Sequence, residues 1–443
     1  MHTTEQAGAG TDLADLTLDV RNLTRVEGEG SLHLKVRDGV VETAHLEIFE
    51  APRYFERLVV GRTMDEVIDI VARICGICPV AYQMTAVHAA EAAFEVAVDP
   101  AVRALRRLFY CGEWIESHAL HLYLLHLPDF LGYASALEMA RDHRSAVEDG
   151  LRLKRAGNRI LATIGGRAIH PISVRVGGFS RILRRDEITG LRGDLEEALR
   201  LANATIDLVA TLSPPLFRRD MRLVALRHPD EYPMNHGRIV SNDGLDLAAD
   251  AWETTFDERQ VAWSHALQAH GADGRPYLLG PAARVTLDAD RLHPRAAAAL
   301  ARLGLADEIA HEPHWSIAAR AVELVHAVAE AIDIVEAYAP PDEAAVAWQP
   351  RAGRAAWATE APRGMLFQRF ELDAAGHVTE ARIVPPTSQN QAAIEADLAA
   401  FAPTVLGLPR PEVTHVMEQL IRSYDPCISC ATHFLDIQVE ELP

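Results

Sequence analysis

Lysine is nearly absent: only Lys35 and Lys154 stand among the 43 basic residues, the rest being arginine. Cysteine is also sparse, five in 443 residues, too few for a disulfide framework and suited to a reducing compartment. No run approaches the roughly 18 uninterrupted apolar residues of a transmembrane helix. The N-terminal stretch MHTTEQAGAGTDLADLTLDV has neither the basic start nor the apolar core of an export signal, which fits a cytoplasmic location. Positive charge is in deficit: 63 acidic against 43 basic residues give a formal net charge of −20. That excludes a general nucleic-acid binder, because phosphate contact needs clustered positive charge. Internal repeats, low-complexity tracts and coiled-coil heptads are missing too.

What remains is the composition of a folded enzyme, 49% hydrophobic and 24% charged. SLHLKV alternates Leu32, Leu34 and Val36, turns at Asp38-Gly39, and VVETAHLEIF returns as a β-hairpin. Thr63 and Glu66 form a capping box, and Val67, Ile70, Val71 and Ile74 mark one buried helical stripe behind it. Helical patterns follow at about 100–127, halting at Pro128, and at about 135–160, 187–212, 316–337 and 388–400; a last helix begins at Pro411. A second hairpin is expected from Met365 to Val384, turning at Asp373–Gly376. The expected organisation is a flexible tail (1–20), a β-hairpin unit (21–62), a helical bundle with the first CxxC (63–212), an irregular α+β insertion (213–315), helices with the second hairpin and second CxxC (316–433), and a C-terminal extension (434–443). The fold class is mainly α with small α+β pieces around a central bundle of long helices.

Four of the five cysteines are spent in two CxxC pairs, Cys75/Cys78 in IVARICGICPVAY and Cys427/Cys430 in SYDPCISCATH. Glycine and proline punctuation places each pair at a helix end. A zinc staple, a dithiol redox pair, two unrelated buried pairs and a four-thiolate site for another metal are all open. Zinc ribbons hold their pairs about 15–20 residues apart, whereas these lie at opposite ends of the chain. A dithiol would explain one pair and not the other. Cys111 belongs to neither and reads as a buried thiol.

Seven segments occur together: LTRVEGEGSL (23–32), RICGIC (73–78), ESHALHLY (116–123), GGRAIHP (165–171), APRG (361–364), PPTSQNQ (385–391) and DPCISCATH (425–433). In content and order the chain resembles the large, catalytic subunit of nickel–iron hydrogenases. FEAPRYFE and IRSYDPCISC resemble most the cytoplasmic branch that exchanges electrons with NAD(P). The resemblance implies the large-subunit fold and reversible cleavage of H2 into protons and electrons. It further implies a centre of the form Ni-Fe(CN)2(CO), with all four cysteines on nickel. Cys75 and Cys427 would be terminal ligands; Cys78 and Cys430 would bridge to the iron. Glu27 would be the proton gate, Arg363 would lie over the open metal position, and Asp425 would orient that arginine. A magnesium ion, or Fe2+, would be held near the C-terminus by Glu56, the carbonyl of Gln391 and His433. His118, His121 and His126 would support the site by hydrogen bonding.

Once those cysteines are used, no iron–sulfur motif is left, so electrons must exit through an iron–sulfur small subunit. VGG at 176–178 does not form a GxGxxG fingerprint, so an NAD(P) site would belong to diaphorase-type partner subunits. The family also implies nickel-insertion proteins and a maturation protease that removes residues 434–443. Three positions depart from many relatives: Glu29, Tyr82 and Ser117. The competing readings are an H2-sensing regulatory relative and a zinc-stabilised electron-transfer scaffold related to complex I.

Overall fold

A computed structural model describes residues 15–432. His433 and the 434–443 extension lie outside them, as does most of the expected N-terminal tail. The end of that tail is not loose. Leu16–Val20 is a strand on the edge of an antiparallel meander with Gly30–Arg37 and Val40–Ile48. Its alternation is the reason: Leu16 and Leu18 bury one face against Val36 and Leu34. The Asp38-Gly39 turn carries positive φ at both residues (50° and 73°), as a two-residue hairpin requires.

The centre is a helical bundle. Pro79–Phe94 is buried on nearly every side, Pro100–Leu120 packs on Arg144–Gly165, and Ser316–Ala337 packs on Pro100–Leu120 and Arg192–Val209. Pro100–Leu120 and Arg144–Gly165 cross at glycines. A Cβ on Gly157 would stand 2.5 Å from the Gly112 carbonyl and 2.6 Å from the Glu116 nitrogen, so no larger residue fits that seam.

The helix expected to halt at Pro128 does not. It widens into a π-turn at His121–His126 and continues as Leu127–Leu131. Pro128 falls in the first turn of that new segment, where its missing N–H costs nothing. The helix expected at about 135–160 is two, Ala136–Met139 and Arg144–Gly165, and that at about 187–212 is Arg185–Thr189 and Arg192–Val209. Between 213 and 315 the chain forms a three-stranded sheet, the Phe256–Gln260/Leu267–Gly271 hairpin and short helices including Pro281–Asp288.

The second hairpin is present, but as two strands of three. Gly353–Ala361 pairs with Gly364–Leu372, which pairs with Val378–Val384. Pro362 and Arg363 of APRG are thus the two turn residues between paired Ala361 and Gly364. Pro386–Val405 and Arg410–Ser423 close the fold and lead to the short helix Ile428–Ala431.

Candidate metal centre

The two CxxC pairs meet. Cys75 Sγ lies 3.7 Å from Cys427 Sγ and Cys78 Sγ 3.7 Å from Cys430 Sγ, with Cys427 and Cys430 2.7 Å apart. All four sulfurs fall within 4.8 Å of one another and are buried. Among the described residues this is the one group of His, Cys, Asp and Glu side chains gathered closely enough to hold an ion. Cys75 follows a 3-10 turn, and its sulfur accepts the N–H groups of Ile77 (3.3 Å) and Cys78 (3.1 Å). Cys78 precedes Pro79, which opens the next helix as its sequence position predicts.

Two features tie the ends of the chain together. Glu27 and Cys427 form a parallel β-bridge, in which Ile428 N–H donates to the Glu27 carbonyl at 2.9 Å. Gly28 permits the approach, having a φ of +91° and leaving only 2.6 Å between a would-be Cβ and Ile428 Cβ. Arg53 spans both motifs: its guanidinium donates to the Ile74 carbonyl at 2.7 Å and to the Ser429 carbonyl, and its backbone N–H reaches the Thr432 carbonyl. Nothing in the spacing of the cysteines points to Arg53. Its position in FEAPRYFE is the only signal.

Beside the sulfurs stand Glu27, expected as the proton gate, and Arg363, expected to be oriented by Asp425. Glu27 Oε2 is 3.0 Å from Cys427 Sγ and also accepts the Ser429 N–H at 3.1 Å. Arg363 donates from Nε to the Asp425 carbonyl (2.9 Å) and from Nη2 to its Oδ1 (3.1 Å). Arg363 Nη1 is buried with no hydrogen-bond partner among the described residues. Burial alone would weaken that guanidinium's hold on its proton. Asp425 and the sulfurs of Cys427, Cys78 and Cys75 outweigh it and raise the pKa, so Arg363 is a fixed cation and not a base.

The sulfurs themselves are short of positive charge. Burial pushes the thiols of Cys78, Cys427 and Cys430 up. Burial opposes ionisation of Cys75 too, but hydrogen bonds from Cys427, Cys430 and Cys78 overcome it and hold that thiol well below its usual range. Four buried thiols that cannot all ionise alone, beside a buried cation with a free N–H, form a donor set that a soft divalent metal completes by displacing the protons. The residues therefore fit a nickel–iron group. A structural zinc site would need neither Glu27 nor Arg363.

The histidines and departures sort by position. His121 Nε2 meets the Arg422 carbonyl (2.7 Å) and His126 Nε2 meets Ser423 Oγ (3.3 Å), bracing the approach to DPCISC across the π-turn. His118 pairs instead with buried Glu323 at 2.9 Å. Tyr82 and Ser117 are buried, with hydroxyls that have no partner among the described residues, whereas Glu29 is exposed and does not change the polarity of the interior. Cys111 is buried away from the cluster.

At the expected magnesium position, Glu56 accepts the Ile383 N–H at 2.7 Å, and burial raises its carboxyl to about 7. Burial raises the carboxyl of nearby Glu258 to about 8, offset in part by Arg382 at 3.3 Å and reinforced by the charge of Glu56. The sequence gives no sign of Glu258. Gln391 turns its amide to the Leu46 carbonyl (2.8 Å).

Residues 53–150 and 260–433 match the nickel-dependent hydrogenase family model. The alpha chain of sulfhydrogenase 1 from Pyrococcus furiosus is 33% identical over 433 residues, covering 94% of this chain and 98% of the relative. An F420-non-reducing hydrogenase chain of Methanothermobacter marburgensis is 29% identical over 465 residues, covering 95% and 96%. The fold superposes on an NAD+-reducing [NiFe]-hydrogenase in its H2-reduced state with a TM-score of 0.85, at 24% identity over 96% of this chain and all of that one. The four convergent cysteines are thus explained by descent as well as by chemistry: the chain belongs to the nickel-dependent hydrogenases and is an oxidoreductase acting on H2.

Proposed function

We propose that this chain is the H2-splitting subunit of a cytoplasmic complex that passes electrons to an iron–sulfur small subunit, and from there to NAD(P). The observation that carries the reading is the contact of Glu27 with Cys427 inside the four-sulfur cluster. H2 has no permanent dipole and almost no acidity, so splitting it into a proton and a hydride needs two acceptors side by side. When bound, the nickel–iron group, with its carbon monoxide and cyanide, supplies the electrophilic position that draws the electron pair. Cys75 and Cys427 would hold nickel alone, and Cys78 and Cys430 would hold both metals. Glu27 takes the proton from the Cys427 sulfur. Its half-buried position lets it pass that proton outward. Arg363, fixed by Asp425, keeps a positive charge and an N–H without a partner among the described residues at the site.

Glu56, the Gln391 carbonyl and His433 would hold magnesium, whose preference for oxygen suits the first two. A maturation protease would remove residues 434–443 after nickel insertion. Cys111, the single cysteine left, cannot hold an iron–sulfur cluster, which supports electron transfer through another chain. NAD(P) as the final acceptor rests on FEAPRYFE and IRSYDPCISC and on the NAD+-reducing enzyme of like fold. No described helix is long and apolar enough to cross a membrane. Reduction of NAD+ or NADP+ by H2 in the purified complex tests the acceptor. Activity with an artificial dye but with neither nicotinamide would overturn that part.

A further inference from the structure

Each loop of the centre has a side chain that holds it. Glu113 holds the first cysteine loop, its carboxylate accepting the N–H groups of Val80 (2.6 Å) and Ala81 (3.1 Å) just after Cys78. Arg53 ties that loop to the second. Asp425 grips the Arg363 side chain, and the backbone of the Arg363 turn is held from a third part of the chain. Arg284, on the helix Pro281–Asp288, is fully buried and spends all five of its N–H donors. Nε and Nη2 reach the two carboxylate oxygens of Glu323, each at 2.7 Å. Nη1 reaches Glu360 Oε2 and the Ala361 carbonyl, and Nη2 reaches the Pro362 carbonyl, each at 2.9 Å.

Those two carbonyls are successive and stand immediately before Arg363, so their direction sets how the Arg363 side chain leaves the turn. The start of the Arg284 helix presses on the same turn. Gly280, just before Pro281, has a φ of +104°, and a Cβ there would lie 2.8 Å from the Arg363 carbonyl. A Cβ on Gly364 would lie 2.6 Å from Leu279 Cβ. The far side of the brace is anchored as well. Glu323 also accepts from His118 Nε2 (2.9 Å) and the Tyr232 hydroxyl (2.7 Å), and Glu360 accepts the Leu226 N–H (2.7 Å). The Trp114 ring lies 4.3 Å from the guanidinium. Burial opposes the charge of Arg284, but Glu323 and Glu360 outweigh it and raise the pKa, so the brace is a permanent cation. A lysine would bring the charge with only three N–H groups and no planar fork. Pairing two carboxylates does not require the two donors that go to the turn.

We propose that Arg284 is a positioning residue for H2 cleavage: through the Ala361 and Pro362 carbonyls it fixes where Arg363 presents Nη1 beside the four sulfurs. This rests on the reading of Arg363 as the fixed cation of the site. Arg284 acts through Arg363 and not on the reacting atoms. Asp425 sets the Arg363 side chain from the second cysteine motif, and Arg284 sets its backbone from the 213–315 segment. That segment, remote in sequence from both cysteine pairs, thereby serves the centre.

The test compares R284K, R363K and R284K/R363K in the assembled enzyme, by H2 turnover per nickel and by the infrared bands of bound carbon monoxide and cyanide. R284K keeps a charge opposite Glu323 and Glu360 but cannot hold both carbonyls. A residue that serves stability alone predicts a lower denaturation midpoint, with turnover and bands at parent values. Positioning predicts about tenfold lower turnover per nickel in R284K and bands displaced in the same direction as in R363K. It also predicts no further loss or displacement in R284K/R363K beyond that of R363K. E323Q, which loosens Arg284 but leaves it in place, should displace the bands as R284K does, and it carries the comparison if R284K fails to assemble. Parent turnover and bands in R284K, or in E323Q where R284K fails to assemble, overturn the proposal. So does an R284K loss of equal size with and without R363K. Parent turnover in R363K overturns the reading of Arg363, and the positioning with it.

Discussion

Glu27 and Cys427, 400 positions apart in the chain, are joined twice: by a backbone β-bridge and by a carboxylate 3.0 Å from a sulfur. The bridge fixes the distance that the carboxylate uses. Replacing Glu27 with Gln keeps the bridge and the side chain's shape but removes the proton acceptor. H2/D2O exchange should fall about a hundredfold, with metal content and the carbon monoxide and cyanide bands unchanged. Exchange at the parent rate would remove Glu27 from its role.

Arg363 sits at a two-residue hairpin turn and grips Asp425 through two different nitrogens. Lysine offers a compact charge without that fork. Arg363→Lys should lower H2 turnover about a hundredfold while metal content stays at the parent level. Loss of the metals in this variant would make Arg363 a structural residue.

Arg53 donates to carbonyls in both cysteine loops, at Ile74 and Ser429. Arg53→Met strips both bonds and leaves two carbonyls unmatched beside the sulfurs. A stability loss of about 2–3 kcal/mol is expected, together with faster metal release to a chelator. Unchanged release would mean that the cysteines alone hold the two loops together.

Asp288 is buried, with no partner for Oδ2 among the described residues and Arg227 3.3 Å from Oδ1. Burial, offset only in part by Arg227, raises its carboxyl to about 8 from an ordinary 3.8. The unfolded chain therefore ionises at this residue from about pH 4, while the folded chain keeps the proton to about pH 8. Stability contributed here is present below pH 4 and is lost as pH rises through that window. Asp288→Asn should flatten the fall in denaturation midpoint between pH 5 and 8. An equal slope in both proteins would contradict the shift.

The sequence exposed what repeats at short range or stands in a motif. The CxxC pairs, the Thr63–Glu66 capping box, the Asp38-Gly39 turn and the Ser316–Ala337 helix were all legible. The Leu16–Val20 strand was hidden by polar neighbours, and its two apolar residues gain meaning only once Leu34 and Val36 lie opposite. Gly353–Ala361 was missed because its partner strand also pairs with Val378–Val384, so one hairpin accounted for the visible alternation. The helix through Pro128 depends on the π-turn at His121–His126, which no local propensity announces. Arg53, Glu113 and Glu258 act across long chain separations, where spacing carries no signal.

The most direct test of the account is elemental analysis with infrared spectroscopy on the assembled, processed complex. One nickel and one iron bound by this chain are predicted, with carbon monoxide and cyanide bands that vanish in Cys78→Ser and Cys430→Ser and persist in Cys111→Ser. Zinc in place of nickel and iron, or bands indifferent to Cys78 and Cys430, would contradict it.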